Sequence, residues 1–255
     1  MQNNLNYHGD IPSDIEFSIQ RQIWRENLGN NQSLRNQAIS LTVAANQFMY
    51  GYQWEWCGVP IIRHPDDIVL QQELVWHLKP THIIETGIAR GGSLILSASL
   101  MEMAGAKANV LGIDIQILPH AHIALREWIR DKKIQIHESD STSPGTAQLV
   151  SDFLSNASSP VLIILDSNHS HSHVLDELVM FSSLIPVKSI IMVADTIISE
   201  MPNGSYENRP WSKKRNPLTA LEEFLNSNSD FELDKRWARR SLMGECRDGI
   251  IQRIK

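Results

Sequence analysis

The chain has 255 residues, 42% of them hydrophobic and 20% charged, a balance that suits one α/β domain with a sizeable core. Its formal net charge of -6 argues against sequence-independent binding to nucleic acid or anionic lipid and favours a small-molecule partner. No apolar run is long enough to span a membrane, and the start MQNNLNYHGD lacks the basic and apolar parts of a signal peptide, so a cytoplasmic protein is expected, with Cys57 and Cys246 reduced and serving as packing residues.

Residues 1–35 are polar, with one modest helical pattern around Ile15 to Leu28; residues 1–40 read as an N-terminal extension and residues 41–255 as the domain. The stretch from Ala38 to Trp56 is unusually aromatic. It suits a lid or cleft wall, or equally aromatic packing or a contact in a homo-oligomer. GVPIIRHP then leads into a helix, DDIVLQQELVWHL.

Ile83 to Ser93, IIETGIARGGS, organises the rest. Ile83 and Ile84 predict a buried strand, Gly87 and the pair Gly91-Gly92 allow a tight turn close to a ligand, and Ser93 is placed to cap the following helix. The glycines match neither the dinucleotide fingerprint nor a P-loop. Glu85 at the strand end would repel a pyrophosphate but accept hydrogen bonds from an ammonium or, through water, hydroxyls, as S-adenosylmethionine presents them; a turn with an exposed Glu is the plain alternative.

A second strand, ANVLGIDIQI, carries Asp114, 29 residues beyond Glu85, where a ribose diol is gripped in such sheets. A helix around His122 to Arg130 and a strand IQIHESD lead to Asp140 and Ser141, which either flank an adenine ring or begin a helix at DSTSP. VLIILD is a fourth strand, HVLDELVMFSSLI a helix and SIIMVADTI a fifth strand. The irregular stretch Ile198 to Asn216 suits a functional loop, PLTALEEFLNSN a helix, FELDKRW a strand, and SLMGECRDGIIQRI two strands joined near Asp248-Gly249. Glu85, Asp114, Asp140, Asp166 and Asp195 thus gather at the carboxyl ends of the strands, the ligand-binding rim of an open parallel sheet.

Asp166 and Asp195 at adjacent strand ends form a hard oxygen site suited to Mg²⁺, and His169 is placed to accept a hydroxyl proton. Asp166 could instead cap the next helix. His169, His171 and His173 could suggest zinc, but no second cluster completes such a site, and His171 and His173 read as structural or surface residues. No Gly-x-Ser-x-Gly elbow is present.

The segments IIRHPDDIVLQQELVWHLKPTHIIETGIARGGSLILSASLMEM, LGIDIQI, ILDSNHSHSHVLDEL, VADTI, RPW and NP, in this order, resemble the cephalosporin hydroxylase and rhamnosyl O-methyltransferase family over roughly residues 45–255. The resemblance implies a Rossmann-like class I methyltransferase fold: a doubly wound, mostly parallel seven-stranded sheet with a C-terminal antiparallel hairpin. It also implies S-adenosylmethionine as cofactor, held by residues drawn from Glu85, Gly87, Arg90, Gly92, Ser93, Asp114, Ile115, Asp140, Ser141 and Asp166. Related sugar O-methyltransferases hold Mg²⁺ with an acid at the fourth strand and acids at the fifth. Carried over, Asp166 and Asp195 would hold metal and His169 would be the base.

Those relatives have two adjacent acids at the fifth strand, whereas this chain has Ala194-Asp195-Thr196, so Thr196 or water would fill the gap. The expected activity is methyl transfer to a hydroxyl of a sugar, glycolipid or natural product. Alternatives are a cephalosporin-hydroxylase-like component acting on a natural-product scaffold, or a cofactor-binding accessory protein without catalysis.

Overall fold

A computed structural model describes residues 14–157, 160–238 and 240–255. Two helices, α1 (Asp14–Gly29) and α2 (Gln32–Asn46), precede a short antiparallel pair, β1 (Trp54–Trp56) and β2 (Val59–Ile61). The helix α2 runs through residue 40 without a break, and its Arg35, Ala38 and Ile39 are buried.

The main sheet then alternates with helices: α3 (Pro65–Leu78), β3 (Ile83–Thr86), α4 (Gly92–Met103), β4 (Val110–Asp114), α5 (Pro119–Arg130), β5 (Ile134–Glu138), α6 (Pro144–Phe153), β6 (Leu162–Leu165), α7 (His171–Ser182) and β7 (Ile190–Val193). A 3-10 turn at Thr196–Ser199, α8 (Pro217–Ser227), β8 (Phe231–Leu233) and β9 (Ile250–Arg253) complete it. The seven strands lie in the order β5-β4-β3-β6-β7-β9-β8, parallel except for the antiparallel β9 pairings. The chain reverses direction across the sheet between β3 and β6, so the crevice at the carboxyl ends of these two strands is where an open parallel sheet takes its ligand.

Strands β3, β6 and β7 are buried along their whole length, which explains their near-continuous runs of β-branched and leucine residues. Alternation divides the core in two. Ile83, Leu162, Ile164 and Met192 face α3, α4 and α5; Ile84, Ile163, Leu165 and Val193 face α6, α7 and α8. Glu85 has the same parity as Ile83 and therefore points into the layer under α3 and α4.

Two local expectations change. Gly91, not Ser93, occupies the N-cap of α4, because its φ of 91° makes the turn that the strand exit needs, and Ser93 is left free to turn its hydroxyl back to Glu85. The stretch SLMGECRDGIIQRI is not a pair of strands. Only Ile250–Arg253 joins the sheet, while residues 241–249 form an irregular arm pinned by side chains of α3, so the closing antiparallel pair is joined by a long connection rather than a tight turn.

Candidate functional site at the strand rim

The turn after β3 is shaped by close approach. A Cβ at Gly87, whose φ is 90°, would overlap the Asp166 carbonyl, and one at Gly92 would overlap that of Pro60 on β2. The resulting cleft, about 210 Å³, brings together the predicted residues Glu85, Gly87, Arg90, Gly92, Ser93, Asp166, His169 and Asp195. Tyr52 also lines it, which makes the aromatic N-terminal stretch a cleft wall in part.

Glu85 is 1% exposed. Its Oε1 accepts from the Ser93 hydroxyl and lies 3.4 Å from Arg63 Nη2, while Oε2 has no partner. Burial pushes its carboxyl up to about 7, against the opposing influence of Arg63 and Ser93.

Arg63 was not singled out in the sequence. It is 2% exposed, donates to Asp166 Oδ2 at 3.1 Å, and its other nitrogen donates to Gln71, which in turn donates to Ser97. One guanidinium thus fastens the acid of β3 to the acid of β6. Arg63 follows Ile61, the end of β2, and Ile62, a position that reads locally as an ordinary surface residue.

Asp166 is not a helix cap. α7 begins at His171 behind Ser170, and Asp166 Oδ1 faces His169 Nε2 at 3.8 Å. His169 Nδ1 lies 3.1 Å from Asp195 Oδ2. Burial alone would lower the imidazole; the charge and hydrogen bond of Asp195, with Asp166, outweigh it and raise the imidazole to about 9. Burial likewise raises Asp166 above its ordinary range, only partly offset by Arg63. Asp195 adopts φ 56°, a left-handed conformation that Asp tolerates better than most residues and that turns the chain sharply at the strand end.

Potential ligand atoms of Asp166, His169 and Asp195 all lie within 4.8 Å of one another. Two carboxylates beside an open cleft suit a hard divalent cation such as Mg²⁺. Thr196, next to Asp195, is 1% exposed, and its hydroxyl donates to the backbone carbonyls of Glu245 and Arg247, which holds the C-terminal arm.

Glu245, which drew no attention in the sequence, lines the same cleft. Burial, with Asp195, Asp67 and Asp166 nearby, raises its carboxyl well above the ordinary range. No local pattern marks it, because the arm reaches the rim through contacts nearly 180 residues apart in sequence.

Asp114, Ile115, Asp140 and Ser141 lie outside this lining. Asp114 Oδ2 accepts from the Ile88 amide at 2.7 Å and bonds Ala89, bracing the glycine turn from its far side. Ile115 beside it is 73% exposed. Asp140 accepts from Thr142, Ser143 caps α6, and Ser141 bonds His173, so the helix-start reading of DSTSP holds. His173 also bonds Ser167, and His171 bonds Thr219 and Glu223, structural roles for both. From the loop after β7, the Trp211 ring lies 4.8 Å from His169 at an interplanar angle of 30°, covering the imidazole.

The chain is 28% identical over 167 residues to Rhamnosyl O-methyltransferase of Mycobacterium leprae, covering 64% of this chain and 71% of that protein. It is 30% identical over 146 residues to the Mycobacterium bovis protein of the same name, covering 57% of this chain and 58% of its counterpart. A solved CmcI structure with Mg and SAM shares the fold, with a TM-score of 0.55 and 20% identity over 80% of this chain and 78% of that one. The family described as Rhamnosyl O-methyltransferase/CmcI matches residues 48–254, spanning both the glycine turn and the acidic rim, and the chain belongs to that family.

Proposed function

We propose that the chain is an S-adenosylmethionine-dependent, Mg²⁺-assisted O-methyltransferase acting on a hydroxyl of a small molecule, with a sugar-bearing acceptor as the best candidate. The observation that carries this reading is the joining, in one cleft, of a glycine turn with the buried Glu85 carboxyl and the Asp166, His169, Asp195 group. Relatives named Rhamnosyl O-methyltransferase and a CmcI structure holding Mg and SAM support the cofactor and acceptor class.

In this reading the cofactor supplies an electrophilic methyl group and the metal supplies Lewis acidity toward the acceptor oxygen. Glu85 and the backbone from Gly87 to Ser93 receive the amino-acid end of the cofactor, while Asp114, Ile115, Asp140 and Ser141 border its ribose and adenine. Asp166 and Asp195 hold the metal. Asp195 fixes the His169 ring through Nδ1, leaving Nε2 to take the acceptor's proton. His169 becomes a neutral base when a bound cation balances the carboxylates that now hold its proton. Trp211 keeps bulk water from the imidazole and offers an aromatic face to a sugar.

Residues 1–40 remain in this proposal an extension of a methyltransferase domain over 41–255, and a homo-oligomer is proposed from the exposed Ile15, Ile19 and Ile23 on one face of α1. Among the described residues no helix is long and apolar enough to cross a membrane, and a cytoplasmic location is proposed with it. The test is calorimetric titration with S-adenosylhomocysteine, with and without Mg²⁺, followed by radiolabelled methyl transfer to rhamnosyl acceptors. Absence of S-adenosylhomocysteine binding under both conditions would sink the reading.

A further inference from the structure

We propose, on the methyltransferase reading above, that Tyr52 receives the ring of the acceptor, its aromatic face and phenol selecting a cyclic molecule that carries hydroxyls.

The local sequence fixes Tyr52 from both sides. Met49 takes φ 54°, and the Tyr52 amide donates to the Met49 carbonyl at 2.9 Å, closing one 3-10 turn over Tyr50–Tyr52. With three residues per turn, Tyr50 and Tyr52 point to different sides. Tyr50 meets Trp54 and His64 edge-on, each with ring centroids 5.4 Å apart. Gly51 is buried; its carbonyl accepts from the Arg63 amide at 2.9 Å, and a Cβ there would come within 3.1 Å of the His64 ring. Of the three residues in the turn, Tyr52 is the one that lines the cleft.

Its side chain is uncommitted. Tyr52 is 57% exposed, and among the described residues its ring pairs with no other aromatic and its hydroxyl has no hydrogen-bond partner. A large amphipathic side chain on a pinned backbone, with few torsions to fix, loses little freedom when a ligand covers it.

Position in the cleft decides which ligand that is. The cofactor end, from Gly87 to Ser93, lies against β2, where a Cβ at Gly92 would overlap the Pro60 carbonyl. The turn at Tyr50–Tyr52 stands at the other end. A Cβ at Gly51 would lie 3.6 Å from Glu245 Oε1, and the Glu245 carbonyl accepts from Thr196 and from the Ile197 amide, directly after Asp195. One stretch of chain thus borders both ends, with Pro60 at the glycine turn and the Tyr52 turn at the acidic group. An acceptor must bring its hydroxyl to His169 at that acidic end, which sets its ring against Tyr52. The C–H face of the ring packs on the aromatic face, and its hydroxyls meet a phenol that both donates and accepts.

The experiment compares the full chain with Tyr52→Ala and Tyr52→Phe. Binding of methyl rhamnoside, a probe from the acceptor class proposed above, is titrated by saturation-transfer difference NMR on the S-adenosylhomocysteine-loaded protein; S-adenosylhomocysteine affinity is measured by calorimetry, and acceptor KM and kcat by radiolabelled methyl transfer. Tyr52→Ala should weaken rhamnoside binding and raise acceptor KM by about tenfold, with kcat within about threefold and S-adenosylhomocysteine affinity within about twofold of the parent. Tyr52→Phe keeps the stacking face and should lose about threefold. Unchanged rhamnoside binding and KM in Tyr52→Ala, or a parent that binds S-adenosylhomocysteine but gives no rhamnoside signal, overturns the assignment. A fall in S-adenosylhomocysteine affinity that matches the fall for rhamnoside also overturns it, since Tyr52 would then cover the cofactor. A parent chain that binds no S-adenosylhomocysteine would instead overturn the methyltransferase reading as a whole.

Discussion

Replacing Arg63 with Met keeps an apolar stem of similar length and removes the charge that Glu85 and Asp166 share. Arg63 Nη2 lies 3.4 Å from Glu85 Oε1 and 3.1 Å from Asp166 Oδ2, and the guanidinium is 2% exposed, so water cannot replace it. Removing one partner of a buried ion pair costs about 3–5 kcal/mol, because an unpaired buried charge remains. With a urea dependence of about 3 kcal/mol per molar, that cost lowers the unfolding midpoint by more than about 1 M. Glu85 already titrates near 7, so the stranded carboxylates of the variant can take up protons as the pH falls. The deficit should therefore be near its full size at pH 8 and much smaller at pH 5. A deficit below about 1 kcal/mol at pH 8, or one that does not shrink at pH 5, would refute the claim that Arg63 is there to compensate two buried acids.

His169→Ala should abolish methyl transfer while leaving S-adenosylhomocysteine affinity within about threefold, a change under 1 kcal/mol; full residual turnover removes His169 from the chemistry. The folded chain holds the His169 proton more tightly than the unfolded chain does, so its contribution, up to about 3 kcal/mol, is complete below about 6.5 and lost as the pH rises through about 9. Urea midpoints of the metal-free chain should fall across that window, and a His169→Gln variant that falls just as steeply would contradict the assignment. Gly92→Ala places a methyl group against the Pro60 carbonyl, and a cost of about 2 kcal/mol should appear as a melting point lower by roughly 4–8 °C. An unchanged melting point would mean that β2 moves aside freely.

The fold was legible because its signals are local. Runs such as Ile190 to Val193 can only be buried strands in this context, and glycines mark the turn after β3. The rule that ligands meet parallel sheets at the strand ends then found Glu85, Asp166 and Asp195 without any coordinates. Arg63 and Glu245 stayed hidden for one reason. Each belongs to a segment that reaches the rim by long-range contact, and neither sits in a periodic pattern or beside a glycine. The structural part of Thr196 was equally hidden, since the turn at Asp195 sets its hydroxyl against the arm, a contact across about 50 residues of sequence. Ser93 misled, since a serine at a helix start reads as a cap until a buried acid claims its hydroxyl.

The order β7-β9-β8 carries a consequence for how the molecule is made. β8 bonds only to β9 among the described strands, although it is synthesised first, and β7 shows an open edge until the same four residues, Ile250–Arg253, arrive. A chain emerging from the ribosome can therefore assemble β3, β4, β5, β6 and their helices early, but its sheet ends in an unpaired strand until the final segment inserts between two waiting neighbours. That edge is a template for pairing with another nascent chain. The arm at 241–249, held by Asp66, Asp67 and Thr196, runs directly into Ile250–Arg253, so the strand that closes the sheet and the arm that borders the acidic rim are one continuous segment.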